Sequence, residues 1–363
     1  MNKRLIIIHP TIAPYRIDFF NKLSHTFDTR IILQYENLKS QTFDYQIISN
    51  QFDFKPLYLS KKSKCFQGYT IWKQIKDFRP DIVVACEYGL FTMVAFLTRF
   101  FCREKYKLVV ITDDSYDMVC NGNDFSAKHR FARKLIAPHI DDFVVVNPNV
   151  EQWYRDKYGR GIFFPIIIDE TKAVVNYDRL LHISHKSAMQ YGLLKQRVLL
   201  SVSRLVDLKN LHGVIEAFAQ SKTDSTLVII GDGPERAALQ RHASKVNKGI
   251  IFMGRLEGDS LLAWYNIASV FILASYKEAF GAVTNEALLA GCRVIISNKA
   301  GSSCLVNKWN GETVDPNDVK NMADAIDRQF ALATVPDLQE ARRSMMPVTF
   351  DDLMGNLISR LKD

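Results

Sequence analysis

The sequence lacks the cysteine spacings that bind metals or carry redox chemistry. Its six cysteines, at 65, 86, 102, 120, 292 and 304, contain no C-x-x-C pair. This excludes a zinc-ribbon or thioredoxin-like motif and fits reduced thiols in a cytosolic protein. Long hydrophobic runs are also missing. The most apolar stretch, Tyr88 to Cys102, is about 15 residues against the roughly 20 a spanning helix needs, so it reads as a core helix. Met1-Asn2-Lys3-Arg4 followed by Leu5–Ile8 is cut short by His9-Pro10 and reads as a first buried strand rather than a signal peptide. No repeat and no low-complexity tract is present. The first strand is not followed by G-x-G-x-x-G, which disfavours a dehydrogenase. The histidines show no metal-ligand spacing: His182 and His185 are three apart without a third partner.

What is present is an ordinary globular composition, 47% apolar and 24% charged, in 363 residues, enough for two domains. The net charge is +8 and sits mostly before residue 181. Two basic sets stand out there: Lys61, Lys62 and Lys64 with Lys73, Lys76 and Arg79, and Arg99, Arg103, Lys105 and Lys107. Such a face suits solubility or an anionic membrane surface. No nucleic-acid motif accompanies the charge, so nucleic acid is not an expected partner.

Short Val/Ile runs alternate with helical patterns, the mark of parallel βαβ units. In the first half, strands are expected at Leu5–His9, Thr29–Gln34, Ile82–Ala85, Leu108–Thr112 and Phe143–Val146. After a weakly periodic region from Pro165 to Lys195, strands follow at Val198–Val202, Thr226–Ile230, Ile250–Met253, Ser269–Leu273 and Cys292–Ser297. Asp259 is expected to cap one helix, and Asp315-Pro316 to open another. The domains this suggests are 1–175, 176–345 and a C-terminal helix, 346–363, packing back on the first.

Three segments carry chemistry. Glu278-Ala279-Phe280-Gly281-Ala282-Val283-Thr284-Asn285-Glu286 places two carboxylates either side of a glycine at a loop-to-helix junction. Carboxylates accept bonds from sugar hydroxyls, and amides at a helix start favour phosphate. Arg204 and Lys209 follow a strand end, where doubly wound sheets bind ligands, and could neutralise a diphosphate. Gly231-Asp232-Gly233-Pro234 turns into a helix, and Gly254-Arg255 follows the next strand. Each alone is a weak signal, since loop cations and carboxylates are usually solvated.

In this order, over residues 198–330, the pieces resemble the C-terminal domain of family-4 glycosyltransferases, the retaining enzymes of the GT-B fold. The matching stretches are Ser203-Arg204-Leu205 with Lys209, Ile230–Pro234, Met253-Gly254-Arg255, Ser275–Gly281 with Glu286-Ala287, and Ala290–Ile295. Ile12-Ala13-Pro14-Tyr15-Arg16 looks like the opening of bacterial members that build surface polysaccharides. The glycine pair common there is missing, and Thr112-Asp113-Asp114 stands where many members carry a histidine.

The resemblance implies an α/β fold of two Rossmann-like domains with parallel sheets facing across a cleft. It implies a nucleoside-diphosphate sugar as donor, a UDP-sugar by default, and a glycan or lipid-linked glycan as acceptor. It implies no cofactor and no metal, since Arg204 and Lys209 would take the leaving diphosphate's charge. Glu278 would bind the donor sugar and Glu286 the ribose, with Phe280, Gly281, Ala282, Val283, Gly231 and Arg255 around the donor. Asp113 would replace the histidine, and His9 and Arg16 would stand on the acceptor side. The protein would be cytoplasmic, peripheral at the inner face of the plasma membrane. A sugar-nucleotide epimerase and a nucleotide-sugar-binding accessory protein stay open as alternatives.

Overall fold

Strands that are buried on both faces have no polar side to show, and the Val/Ile runs here form two wholly parallel sheets. A computed structural model describes residues 2–36, 45–59, 63–101, 105–122 and 126–363. Lys61, Lys62, Cys102 and Arg103 lie outside these. The chain divides into a first unit, residues 1–168 with 350–363, and a second unit, residues 169–349.

In the first unit the strands are β1 (Arg4–His9), β2 (Asp28–Leu33), β3 (Leu57–Tyr58), β4 (Ile82–Cys86), β5 (Lys107–Thr112), β6 (Asp142–Val145) and β7 (Ile162–Phe163). Their order across the sheet is β3-β2-β1-β4-β5-β6-β7. Leu5 pairs with Thr29 on one side and Ile82 on the other, so β1 is central. The helices Lys64–Phe78, Leu90–Phe101, Ala127–Ile136 and Pro148–Tyr158 each precede a move in the same direction across the sheet, so right-handed crossovers put all four on one face. Ile71, Ile75, Ala95, Ile136, Val150 and Tyr154 from these helices share one core with Val83, Leu108 and Phe143 of the strands. Side-chain caps at Ser63, Ser126 and Asn147 start three of them. The final helix, Phe350–Lys362, groups with this unit: Arg360 pairs with Asp142 at 2.9 Å, and Phe350 meets Phe164 edge-on.

In the second unit the strands are β8 (Val198–Val202), β9 (Thr226–Ile230), β10 (Ile250–Gly254), β11 (Val270–Leu273), β12 (Arg293–Ser297) and β13 (Gly311–Val314), in the order β10-β9-β8-β11-β12-β13.

The structure departs from the sequence expectations where the local signal was weak. The Pro165–Lys195 region holds two helices, Glu170–Arg179 and Leu181–Gln190. Asp259 is not a cap: it lies inside the Gly258–Ile267 helix and receives both Arg179 nitrogens at 2.8 and 2.9 Å. Asp315-Pro316 precedes the Val319–Leu332 helix, whose cap is Asp318. The Leu90–Phe101 helix is covered on one side only. Thr92, Ala95 and Thr98 are buried, while Leu90, Leu97, Phe100 and Phe101 face outward.

Candidate functional site

A sheet whose strand order reverses leaves a crevice at the carboxyl ends of the two strands where it reverses. In the second unit these are β8 and β11. The loop after β8 carries Arg204 and Lys209, and the loop after β11 carries Glu278. The structure brings Lys209 and Glu278 together as an ion pair, with side chains 14% and 19% exposed. Arg204 is exposed and joins no ion pair among the described residues.

Local geometry fixes both loops. Asn210, in the left-handed region at φ 52°, caps the Leu211–Gln220 helix and donates to the Pro316 carbonyl at 2.7 Å, which anchors the turn that presents Lys209. The Tyr276 amide donates to the Leu208 carbonyl at 2.9 Å and joins the two loops. The Gly301 and Ser302 amides donate to the Glu278 and Phe280 carbonyls, which ties the Glu278 loop to the end of β12. Gly281 has φ 93°, and a Cβ there would sit 2.7 Å from Leu273 and 3.3 Å from Glu278 Cγ, so its bare backbone closes the turn beside the carboxylate. Gly231, at φ 143°, lets the β9 loop touch the Ser203 carbonyl, where a Cβ would sit at 1.8 Å.

The other expected donor residues are placed differently from one another. The Phe280 side chain is buried, so anything it offers a ligand is main chain. Ala282 and Val283 begin a helix of seven residues, Val283–Leu289, in which the Thr284, Asn285 and Glu286 amides already donate to the Gly281 and Ala282 carbonyls. Arg255 is exposed and engaged with Glu257 at 2.6 Å. Glu286 lies half-buried one turn along the helix, its carboxyl pushed up by burial while a hydrogen bond from Tyr265 pulls it back.

In the first unit the order reverses between β1 and β4. His9 ends β1, Glu87 follows β4 at φ 58°, and Asp113 follows β5. Arg16, 5% exposed, pairs with Asp113. The Asp113 amide and the Thr112 hydroxyl donate to the two oxygens of Glu87 at 3.2 and 3.3 Å, and His129 Nε2 lies 3.5 Å from it. His9 meets Phe20 edge-on, and burial together with the neighbouring Arg16 lowers its pKa to about 4. Asp114 turns the other way from Asp113: it is buried against Arg133 and accepts from the Tyr154 hydroxyl at 3.2 Å. Sequence reasoning missed Glu87, Arg133 and Tyr154. Only their position just after strand ends or on the covering helices could have signalled them.

The expected second basic set does not form a free face. Arg99 binds Asp141 and the His139 carbonyl, and Lys107 donates to the Arg360 carbonyl. Among the described residues, no three His, Cys, Asp or Glu side chains converge as metal ligands.

Residues 187–342 match the family model described as Glycosyl transferases group 1. The putative teichuronic acid biosynthesis glycosyltransferase TuaC of Bacillus subtilis is 30% identical over 37% of this chain and 33% of its own length. The alpha-monoglucosyldiacylglycerol synthase of Acholeplasma laidlawii is 24% identical over 66% of this chain and 54% of its own. The chain thus spans about a third to a half of the curated relatives it matches. Among solved structures, Anabaena Alr3699/HepE in complex with UDP and glucose superposes with a TM-score of 0.72 at 16% identity, covering 99% of both chains. That likeness shows the fold, two Rossmann-like halves of the GT-B class.

Proposed function

We propose, from the match of residues 187–342 to the family model described as Glycosyl transferases group 1, that the protein moves a sugar, with retention, from a nucleoside-diphosphate sugar to a glycan or lipid-linked glycan in bacterial surface polysaccharide assembly. The observation that carries the reading is the Lys209–Glu278 pair at the switch point of the second sheet, with the exposed Arg204 on the same loop as Lys209. A diphosphate needs cations, and a sugar needs hydroxyl acceptors; this spot holds both. UDP-sugar is the favoured donor, supported by the UDP and glucose bound to Anabaena Alr3699/HepE. A surface-glycan acceptor is supported by the likeness to the teichuronic acid and monoglucosyldiacylglycerol enzymes.

In this reaction the bond from the anomeric carbon to the phosphate oxygen breaks, and a bond to the acceptor oxygen forms on the same face. The acceptor's proton goes to the departing phosphate oxygen. Arg204 and Lys209 meet the charge growing on the diphosphate, so no metal is called for, and loss of one such donor costs on the order of 3 kcal/mol of barrier. Glu278, released from Lys209 as the diphosphate takes that cation, binds donor-sugar hydroxyls and steadies positive charge at the anomeric centre. Glu286 holds the ribose. On the acceptor side, Asp113 and Glu87 offer partly exposed carboxylate oxygens, backed by the buried Arg16 and the neutral His9.

The test is Glu278→Gln with a panel of nucleotide sugars. Donor binding should persist and transfer should fall at least about a hundredfold; a variant that transfers at the wild-type rate overturns the role of Glu278. Incubating donor alone separates transferase from epimerase, since an epimerase converts it without an acceptor.

We also place the protein at the inner face of the plasma membrane. Phe100, Phe101 and Phe131 are 71%, 73% and 68% exposed, and Phe66, Tyr69 and Trp72 are exposed nearby in the helix layer. The helices Lys64–Phe78 and Ala127–Ile136 expose Lys64, Lys73, Lys128, Arg130 and Lys134. Aromatic rings with flanking cations suit an anionic lipid interface. Among the described residues no helix is long and apolar enough to cross a membrane. Phe100→Ser with Phe101→Ser should weaken sedimentation with phosphatidylglycerol vesicles; unchanged binding refutes this placement.

A further inference from the structure

Glu286 is gripped at two points by tyrosines from two other helices. The Tyr265 hydroxyl, from the Gly258–Ile267 helix, donates to Glu286 Oε2 at 2.7 Å. The Tyr177 hydroxyl, from the Glu170–Arg179 helix, donates to the Glu286 main-chain carbonyl at 2.9 Å. Tyr265 is fully buried and Tyr177 is 3% exposed. A buried phenol must find a partner, and here one of them spends its donor on a carboxylate, which makes the bond charge-assisted.

Tyr265 is itself locked. Its carbonyl accepts from Arg342 at 2.7 Å and from the Cys292 thiol at 3.2 Å, and its ring packs against Phe271. The neighbouring Asn266 donates to the Tyr177 carbonyl at 2.8 Å, so the two tyrosines belong to one rigid network. A half-buried Glu on a seven-residue helix would otherwise swing about its side-chain torsions, and fixing them at the moment of binding costs entropy.

From this we infer that Tyr265 is a positioning residue for nucleotide recognition: by filling Oε2 it fixes the Glu286 carboxylate as a preset acceptor for ribose hydroxyls. The inference rests on the reading that Glu286 holds the ribose, and it names the group that makes that contact specific. The titratable groups set against Glu286 are Tyr265 and Tyr177, and Cys292 and Arg342 lie beside those tyrosines rather than against the carboxylate. Of these, only the Tyr265 hydroxyl touches the carboxylate directly among the described residues, and it opposes the upward push of burial on the Glu286 carboxyl. Its loss therefore raises the Glu286 carboxyl further above its ordinary range.

The experiment compares two probes, UDP and inorganic pyrophosphate, which lacks a ribose, by titration calorimetry from about pH 5 to 8. In Tyr265→Phe, UDP binding weakens about tenfold, as loss of a charge-assisted bond requires, and its acid-side decline moves to higher pH. Pyrophosphate binding is unchanged. Tyr177→Phe lowers the melting temperature and leaves the pH profile of UDP binding in place. Equal loss of both probes in Tyr265→Phe, or no loss of UDP, overturns the positioning role. Glu286→Ala distinguishes the underlying reading: if it binds UDP normally, Glu286 does not hold the ribose; if it weakens UDP while Tyr265→Phe does not, only the role of Tyr265 fails.

Discussion

Lys209→Met leaves the Glu278 carboxylate four-fifths covered and without its cation. Breaking a fully buried pair in this way costs about 3–5 kcal/mol, and an exposed pair contributes about 0–1. The 14% and 19% exposure of these side chains places the cost between, at about 2 kcal/mol. For a unit of this size, each kcal/mol moves the melting temperature by about 2–4 °C, so a fall of about 6 °C is expected. Lys209→Met combined with Glu278→Gln removes the orphaned charge and should regain most of that loss. Calorimetry reads both, with the transition of the second unit identified as the one that UDP shifts upward. The coupling energy of the cycle should be about 1–2 kcal/mol. If the single and double variants melt together, the pair has no energetic content in the unliganded protein, and the idea that ligand entry exchanges one partner for another loses its basis.

Gly231→Ala sets a Cβ 1.8 Å from the Ser203 carbonyl at φ 143°, main chain against main chain, and should cost about 3 kcal/mol or more by thermal melting. Gly159→Ala, at φ 73° in open space, should cost about 1 kcal/mol in the same assay. Glu286→Gln should raise the melting temperature at about pH 8. A carboxyl whose folded pKa is raised stabilises the fold below its unfolded pKa and loses that contribution as pH rises through the folded one, so removing the charge removes the loss. His9 runs the other way: lowered from 6.5 to about 4, it favours the fold fully above pH 6.5 and loses that contribution as pH falls toward 4. The loss reaches at most about 3 kcal/mol, and His9→Gln should flatten the pH dependence of urea stability across that window.

The alternation of strand and helix was legible because it is written locally. Val198–Val202 and Thr226–Ile230 occupy the residues their continuous apolar runs indicated, and Leu211–Gln220 follows its 3.6-residue period. Leu57–Tyr58 and Ile162–Phe163, two residues each, carry no pattern of their own; they become strands because β2 and β6 offer them a paired edge. The Glu170–Arg179 helix has few apolar residues to set a period, and its stability comes from the neighbours that bury Ala173 and Tyr177.

The sequence by itself determined the kinds of chemistry available: cations after one strand, carboxylates and a glycine after another, in an order that resembles one family. It could not determine who meets whom. That Lys209 closes on Glu278, that Arg16 pairs with Asp113, and that Tyr265 reaches Glu286 across 21 positions are all decided by which strands lie side by side. Residue order specifies each strand through interactions a few residues long, whereas adjacency at the switch points of the sheets follows from crossover handedness and burial, which involve the whole chain at once.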